Sequence, residues 1–181
     1  MELKPEERRM LLSLARSAVE ACVRGQALPC PPCEGVLAQP RGCFVTLTNS
    51  GMLRGCIGTF GPDGPLGQTL VEMAQAATRD PRFLRQPITP AELPSLTVGV
   101  SILSPLVRTT EPEKLTVGTH GIYVIHRHQA GCFLPEVATE MGWSAREFLD
   151  HCCMSKAGLA RDAWRSPEAQ VYLFTSDKFE G

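Results

Sequence analysis

The sequence predicts an α+β fold, with a largely antiparallel or mixed sheet flanked by helices. Three observations carry that prediction. Strand-like runs lie close together and are joined by tight turns, which antiparallel pairs allow and parallel pairs do not. Helical stripes fall between groups of strands rather than after every strand, so the order is not a regular βαβ alternation. The chain has 181 residues, 43% of them hydrophobic, enough to bury a core in one domain or in one domain with a small lobe.

The elements follow in order. Pro5-Glu6-Glu7 places a proline and two acids where a helix start favours them. Leu11, Leu14, Ala15, Ala18 and Cys22 continue a helical stripe over about 5–24, and Gly25 stops it. Residues 25–40 are rich in proline and glycine and read as a loop. Cys43 to Thr48 is a β-branched and aromatic strand, Asn49-Ser50-Gly51 supplies a turn, and Met52 to Phe60 returns. Gly61-Pro62-Asp63-Gly64-Pro65 is a loop. Leu66, Leu70, Met73 and Ala77 mark a helix over about 65–79 that ends before Pro81. Leu96 to Leu103 is a buried strand, and Gly121 to Ile125, apolar on both faces, is central in its sheet. His126 and His128 lie at the turn that follows. Ser144 and Glu147 have capping-box spacing, and Trp143 and Phe148 have hydrophobic-staple spacing, so a helix starts at Ser144. Cys152-Cys153 packs its last turn, and Gln170 to Phe174 is the last strand.

Composition narrows the function classes. A net charge of −1 with 20% charged residues argues against broad electrostatic binding to nucleic acid or to a membrane surface. No apolar run approaches the ~18 residues of a membrane span, and the polar start lacks the pattern of a secretory signal. The expected location is the cytoplasm. The eight cysteines, at 22, 30, 33, 43, 56, 132, 152 and 153, are therefore not read as a disulfide framework. Cys30-Pro31-Pro32-Cys33 is a C-x-x-C without a second ligand block at finger-like spacing, and its prolines do not suit the helix start of a redox motif. Neither a metal nor a cofactor is assigned.

The stretch that carries chemistry is Leu53-Arg54-Gly55-Cys56-Ile57-Gly58. Alternation along a strand points Arg54 and Cys56 to the same face, and a guanidinium beside a thiol favours the nucleophilic thiolate. Gly55 and Gly58 leave backbone N–H groups open to a ligand. The competing reading is a buried cysteine acting as a small hydrophobe in a glycine-bent strand. Asp80-Pro81-Arg82-Phe83 places an aspartate where it can bond local backbone or pair with an arginine. Arg79, Arg82 and Arg85 form a basic cluster, either a solvated face or a phosphate or carboxylate contact. His120, before a glycine at a strand edge, reads as a base, a ligand or a capping residue.

These blocks together resemble the AMMECR family, known in bacteria and archaea as AmmeMemoRadiSam system protein A. The resemblance rests on Gly42-Cys43-Phe44-Val45-Thr46-Leu47, Leu53 to Gly58, Asp80 to Phe83, His120-Gly121-Ile122, Leu134-Pro135-Glu136-Val137-Ala138 and Lys156-Ala157-Gly158-Leu159. It covers about 40–179 of a single domain spanning 1–181, with the first helix and the proline- and cysteine-rich loop before it. It implies larger and smaller subdomains with a cleft near Cys56, and association with a Memo-like protein and a radical S-adenosylmethionine protein. This chain has Glu136 where the family usually has glutamine and Thr119 where it often has a basic residue. Cys30, Cys33, Cys132 and Cys153 look like its own additions.

Three functions compete. In the leading one Cys56 is a nucleophile or carrier thiol, assisted by Arg54, with His120 or Glu136 moving protons. Gly55, Gly58, Asp80, Arg82 and Lys156 are then the ligand-binding candidates for a small or anionic substrate. In the second the chain is a non-catalytic module for a phosphate- or carboxylate-bearing ligand. In the third it is an adaptor delivering substrate to the two partner proteins.

Overall fold

The fold is described from a computed structural model of the chain, which covers residues 3–61 and 64–181. The tip of the loop expected around Pro62 and Asp63 lies outside the described residues. The chain folds as two units, a larger one of residues up to Leu103 together with Asp177–Gly181 and a smaller one of Ser104–Ser176.

The larger unit opens with α1 (Pro5–Arg24), as its start and stop signals predict. Lys4 N–H donates to the Glu7 carboxylate at 2.8 Å, and Gly25 closes the helix at φ 66°. β1 (Cys43–Asn49) and β2 (Met52–Thr59) form the expected hairpin. Its two turn residues, Ser50 and Gly51, both take positive φ, 51° and 78°, the backbone of a turn whose twist matches the strands. α2 (Leu66–Thr78) and β3 (Leu96–Leu103) follow. Cys43, Val45 and Leu47 of β1 are fully buried with Leu11, Ala15 and Ala18 of α1 and Leu70, Ala74 and Ala77 of α2. One face of the sheet is therefore covered by both helices.

The smaller unit holds β4 (Val107–Thr109), β5 (Gly121–His126), β6 (Gln129–Phe133), α3 (Pro135–Met141), α4 (Ala145–His151) and β7 (Ala169–Phe174). Its antiparallel sheet runs β4-β7-β5-β6, so β5 is internal as its apolar faces predict. The capping box at Ser144 forms, with Ser144 N–H donating to Glu147 at 2.9 Å. Trp143 and Phe148 both pack on the Phe133 ring, at centroid distances of 5.7 and 5.6 Å. α4 runs into a wider π-type turn, Cys152–Ala157, that buries both neighbouring cysteines. Asp150 is the polar anchor of this core. It is buried and accepts the Trp164 indole N–H at 2.8 Å and Arg161 Nε at 2.9 Å.

The chain does not end its strands at β7. β8 (Ser176–Glu180) returns to the larger unit and completes the sheet order β2-β1-β3-β8. Val98 and Gly181 exchange hydrogen bonds at 3.0 and 3.1 Å, and Arg8 pairs with Asp177 at 2.9 Å. Ser-Asp-Lys-Phe-Glu holds one apolar residue, so its strand character comes from the pairing and not from its own pattern. β4 and α3 are likewise short elements without a readable stripe, although Pro135 and Gly142 bracket α3 as start and stop signals.

Asp150→Ala is expected to lower the stability of the smaller unit by about 2 kcal/mol, because it leaves a buried indole N–H without an acceptor. Urea unfolding followed by tryptophan fluorescence measures this, and an unchanged midpoint would show that the anchor contributes nothing.

Candidate functional site

β2 is the outer strand of its sheet, so one of its edges lacks a neighbouring strand. Cys56 lies opposite Thr46 of β1, and both backbone groups of Cys56 point outward, away from β1. In an antiparallel ladder this is the pair type whose side chains stand closest, and Cys56 Sγ lies 3.2 Å from Thr46 Oγ1.

The outward groups are taken by two side chains from the segment after α2. Asp80 Oδ2 accepts the Cys56 N–H at 2.9 Å, and Arg82 Nη2 donates to the Cys56 carbonyl at 3.2 Å. The aspartate and arginine are themselves joined, by Nη2 to Oδ2 at 2.6 Å and Nε to Oδ1 at 3.0 Å. Asp80 also accepts the Arg82 N–H at 3.0 Å, which caps the short turn Pro81–Phe83. The aspartate is 1% exposed and the arginine 55%. The Arg82 guanidinium, with help from the Cys56 and Arg82 amides, holds the Asp80 carboxyl well below the usual carboxylate range despite its burial. Arg82 is in turn stabilised as a cation, mainly by the hydrogen-bonded Asp80, with a smaller electrostatic contribution from Cys56. The arginine bonded to Cys56 is thus Arg82, through the Cys56 carbonyl.

A family model described as AMMECR1 matches residues 12–179. The chain belongs to the AMMECR1 family. A protein of Methanothermobacter thermautotrophicus is 43% identical, over 98% of this chain and 95% of that relative. One of Methanopyrus kandleri is 40% identical over 99% and 90%. The crystal structure of an uncharacterised protein from Pyrococcus horikoshii is similar at a TM-score of 0.89 and 35% identity, over 99% of this chain and 94% of that one. The AMMECR1 match begins at residue 12 rather than near 40, so most of α1 and the proline-rich loop lie within the family region.

The remaining predicted residues of this AMMECR1 chain divide between the units. Arg54 does not stand beside Cys56. The β1–β2 register slips between Leu47 and Thr48, which makes Arg54 the extra residue of a bulge, and strict alternation from Arg54 to Cys56 fails there. Its guanidinium is held by Glu92, at 3.0 and 3.1 Å, and by the Gln86 carbonyl at 3.0 Å. The space beside Gly55 is filled by the Ala77 carbonyl of α2, and that beside Gly58 by the Phe44 ring and the Cys43 carbonyl. Both glycines therefore admit the protein's own atoms where a ligand was expected. Asp80 and Arg82 come together at Cys56 as described.

His120, Glu136 and Lys156 belong to the smaller unit. His120 Nδ1 accepts the Thr116 N–H at 2.9 Å, which ties a local turn. Glu136 lies in the first turn of α3, where a carboxylate meets the positive end of the helix. Lys156 is exposed, with Nζ 5.3 Å from the Phe133 ring centroid. Among the cysteines Cys56 is half-buried, Cys30 and Cys33 are exposed, and Cys43, Cys152 and Cys153 are buried. Burial pushes the Cys43 thiol up to about 12. Among the described residues no group of three or more His, Cys, Asp or Glu is placed to hold a metal, and no helix is long and apolar enough to cross a membrane.

Sequence reasoning missed Thr46 and Glu92. Without the bulge the hairpin register would put Thr46 opposite Gly55, so the Thr46–Cys56 pair was hidden by one residue. Glu92 was detectable, because Thr89 and Glu92 have capping-box spacing and Thr89 N–H donates to Glu92 at 3.1 Å.

The depressed Asp80 pKa fixes a pH dependence. Its folded value lies below the unfolded one of about 3.9, so its stabilisation is complete above about pH 4 and is lost as pH falls through the folded value. Asp80→Asn is expected to be less stable than wild type at pH 7, with the gap closing below about pH 4. Urea midpoints at several pH values check this, and a gap independent of pH would refute it.

Proposed function

We propose that the chain carries a thiol-centred site, in which Cys56 acts on or carries a small substrate and Arg82 is its cationic partner. The observation behind this reading is the clasp itself. Asp80 and Arg82 hold the Cys56 N–H and carbonyl from the outer edge of β2 and leave its thiol half-buried on a strand residue whose backbone is tied to a fixed guanidinium. A cation held in place before reaction stabilises negative charge that develops on a bound substrate as sulfur attacks it, without reorganisation. The reading needs residues of the larger unit alone, with Arg54 and Glu92 bracing the segment that carries Arg82. The family resemblance adds the setting, a cytoplasmic system with a Memo-like protein and a radical S-adenosylmethionine protein, in which this chain supplies or transfers a substrate.

Mass-spectrometric alkylation of all eight cysteines tests the reading. Cys56 is expected to react faster than the exposed Cys30 and Cys33. Arg82→Ala should slow it by about tenfold, the loss of one charge-assisted interaction. Arg82→Lys, which keeps the charge, should restore part of the rate in a folded protein. A Cys56 that stays inert until unfolding would instead support a packed residue in a binding module or an adaptor.

A further inference from the structure

We infer that the turn carrying Arg82 and Arg85 is a binding site for a phosphate-bearing small molecule, presented at the rim of Cys56. The inference deepens the thiol reading, since it names the substrate class, but the binding step stands on its own observations.

Arg82 spends Nε and Nη2 on Asp80 and on the Cys56 carbonyl. Among the described residues Nη1 has no acceptor, and more than half of the side chain is exposed. Its orientation is fixed by a buried carboxylate, so little rotamer freedom remains to be lost when an anion arrives. Arg85 lies one turn further on. Phe83 N–H donates to the Asp80 carbonyl and Gln86 N–H to the Phe83 carbonyl, each at 2.9 Å. The two bonds carry the chain through consecutive turns, Pro81–Phe83 and then residues 84–85, so Arg85 follows Arg82 within the same short turning segment. Arg85 is exposed and, among the described residues, has no acidic partner. The far end of the turn is pinned by Arg54, which donates to the Gln86 carbonyl while paired to Glu92.

Charge and shape choose the ligand. The carboxylates here, Asp80 and Glu92, are already engaged with Arg82 and Arg54, which leaves Arg85 as excess positive charge. A carboxylate's two oxygens are satisfied by a single guanidinium fork, whereas a phosphoryl group offers three oxygens. That suits the open edge of Arg82 and the free fork of Arg85 together.

The probe is inorganic phosphate, titrated into the isotope-labelled full chain at constant ionic strength. Arginine Nε–H signals and the Cys56 alkylation rate are followed together. Saturable shifts at Arg82 and Arg85 and slower alkylation of Cys56 are expected. Arg85→Ala should weaken phosphate binding at least about tenfold. Arg9→Ala, at an exposed cation of α1, should bind as wild type does. Non-saturable shifts, equal weakening by Arg9→Ala, or acetate binding as tightly as phosphate would each overturn the site. The two readings fail separately. Phosphate binding beside an inert Cys56 sinks the thiol reading alone, and a reactive Cys56 indifferent to phosphate sinks this site alone.

Discussion

A single buried carboxylate organises the larger unit around Cys56. Asp80 sits where α2 has ended, and Pro81 prevents the helix from continuing. Burying an unpaired carboxylate would cost several kcal/mol, so the fold supplies donors from three directions: the Cys56 amide, the Arg82 amide and the Arg82 guanidinium. Each donor fixes something else. The first satisfies the outward amide of Cys56 on the open edge of β2, the second shapes the turn, and the third fixes a cation that also bonds the Cys56 carbonyl. An outer strand is otherwise a template for pairing with another chain, and here its outward backbone groups at Cys56 are taken by side chains of the same molecule.

The bulge in β2 is the second constraint. An extra residue in one strand turns a side chain away from its expected direction. Arg54 is thereby sent to Glu92 and the end of the Arg82 turn, while Cys56 is set opposite Thr46. Gly55 and Gly58 belong to the same geometry. They let α2 and Phe44 approach the strand more closely than any side chain would permit. The Leu-Arg-Gly-Cys-Ile-Gly stretch is thus largely a packing solution that leaves one thiol half-buried at its centre.

The smaller unit repeats the principle with other residues. Its core is aromatic, with Phe133, Trp143 and Phe148 in contact, and its one buried aspartate is satisfied by an indole and an arginine. His120, Glu136 and Lys156 each serve local structure there, as a turn tie, a helix-start carboxylate and a cation over a ring.

By itself the sequence determined whatever is written within a few residues. α1 was legible from Pro5 and Gly25, the hairpin from Ser50-Gly51, and the start of α4 from Ser144 and Glu147, because caps and turns act over one to four positions. The capping aspartate of the Asp80-Pro81-Arg82 turn was legible for the same reason. Only the tertiary structure decided which arginine bonds Cys56, through its carbonyl. That choice depends on a one-residue bulge and on a contact spanning 24 positions, neither of which leaves a periodic trace. β8 is the same case. Its five residues have no strand pattern strong enough to read, and they are a strand because β3 offers an open edge and Arg8 and Arg16 hold them there. Local chemistry sets the pieces, and the pairing of distant backbone and charge sets the site.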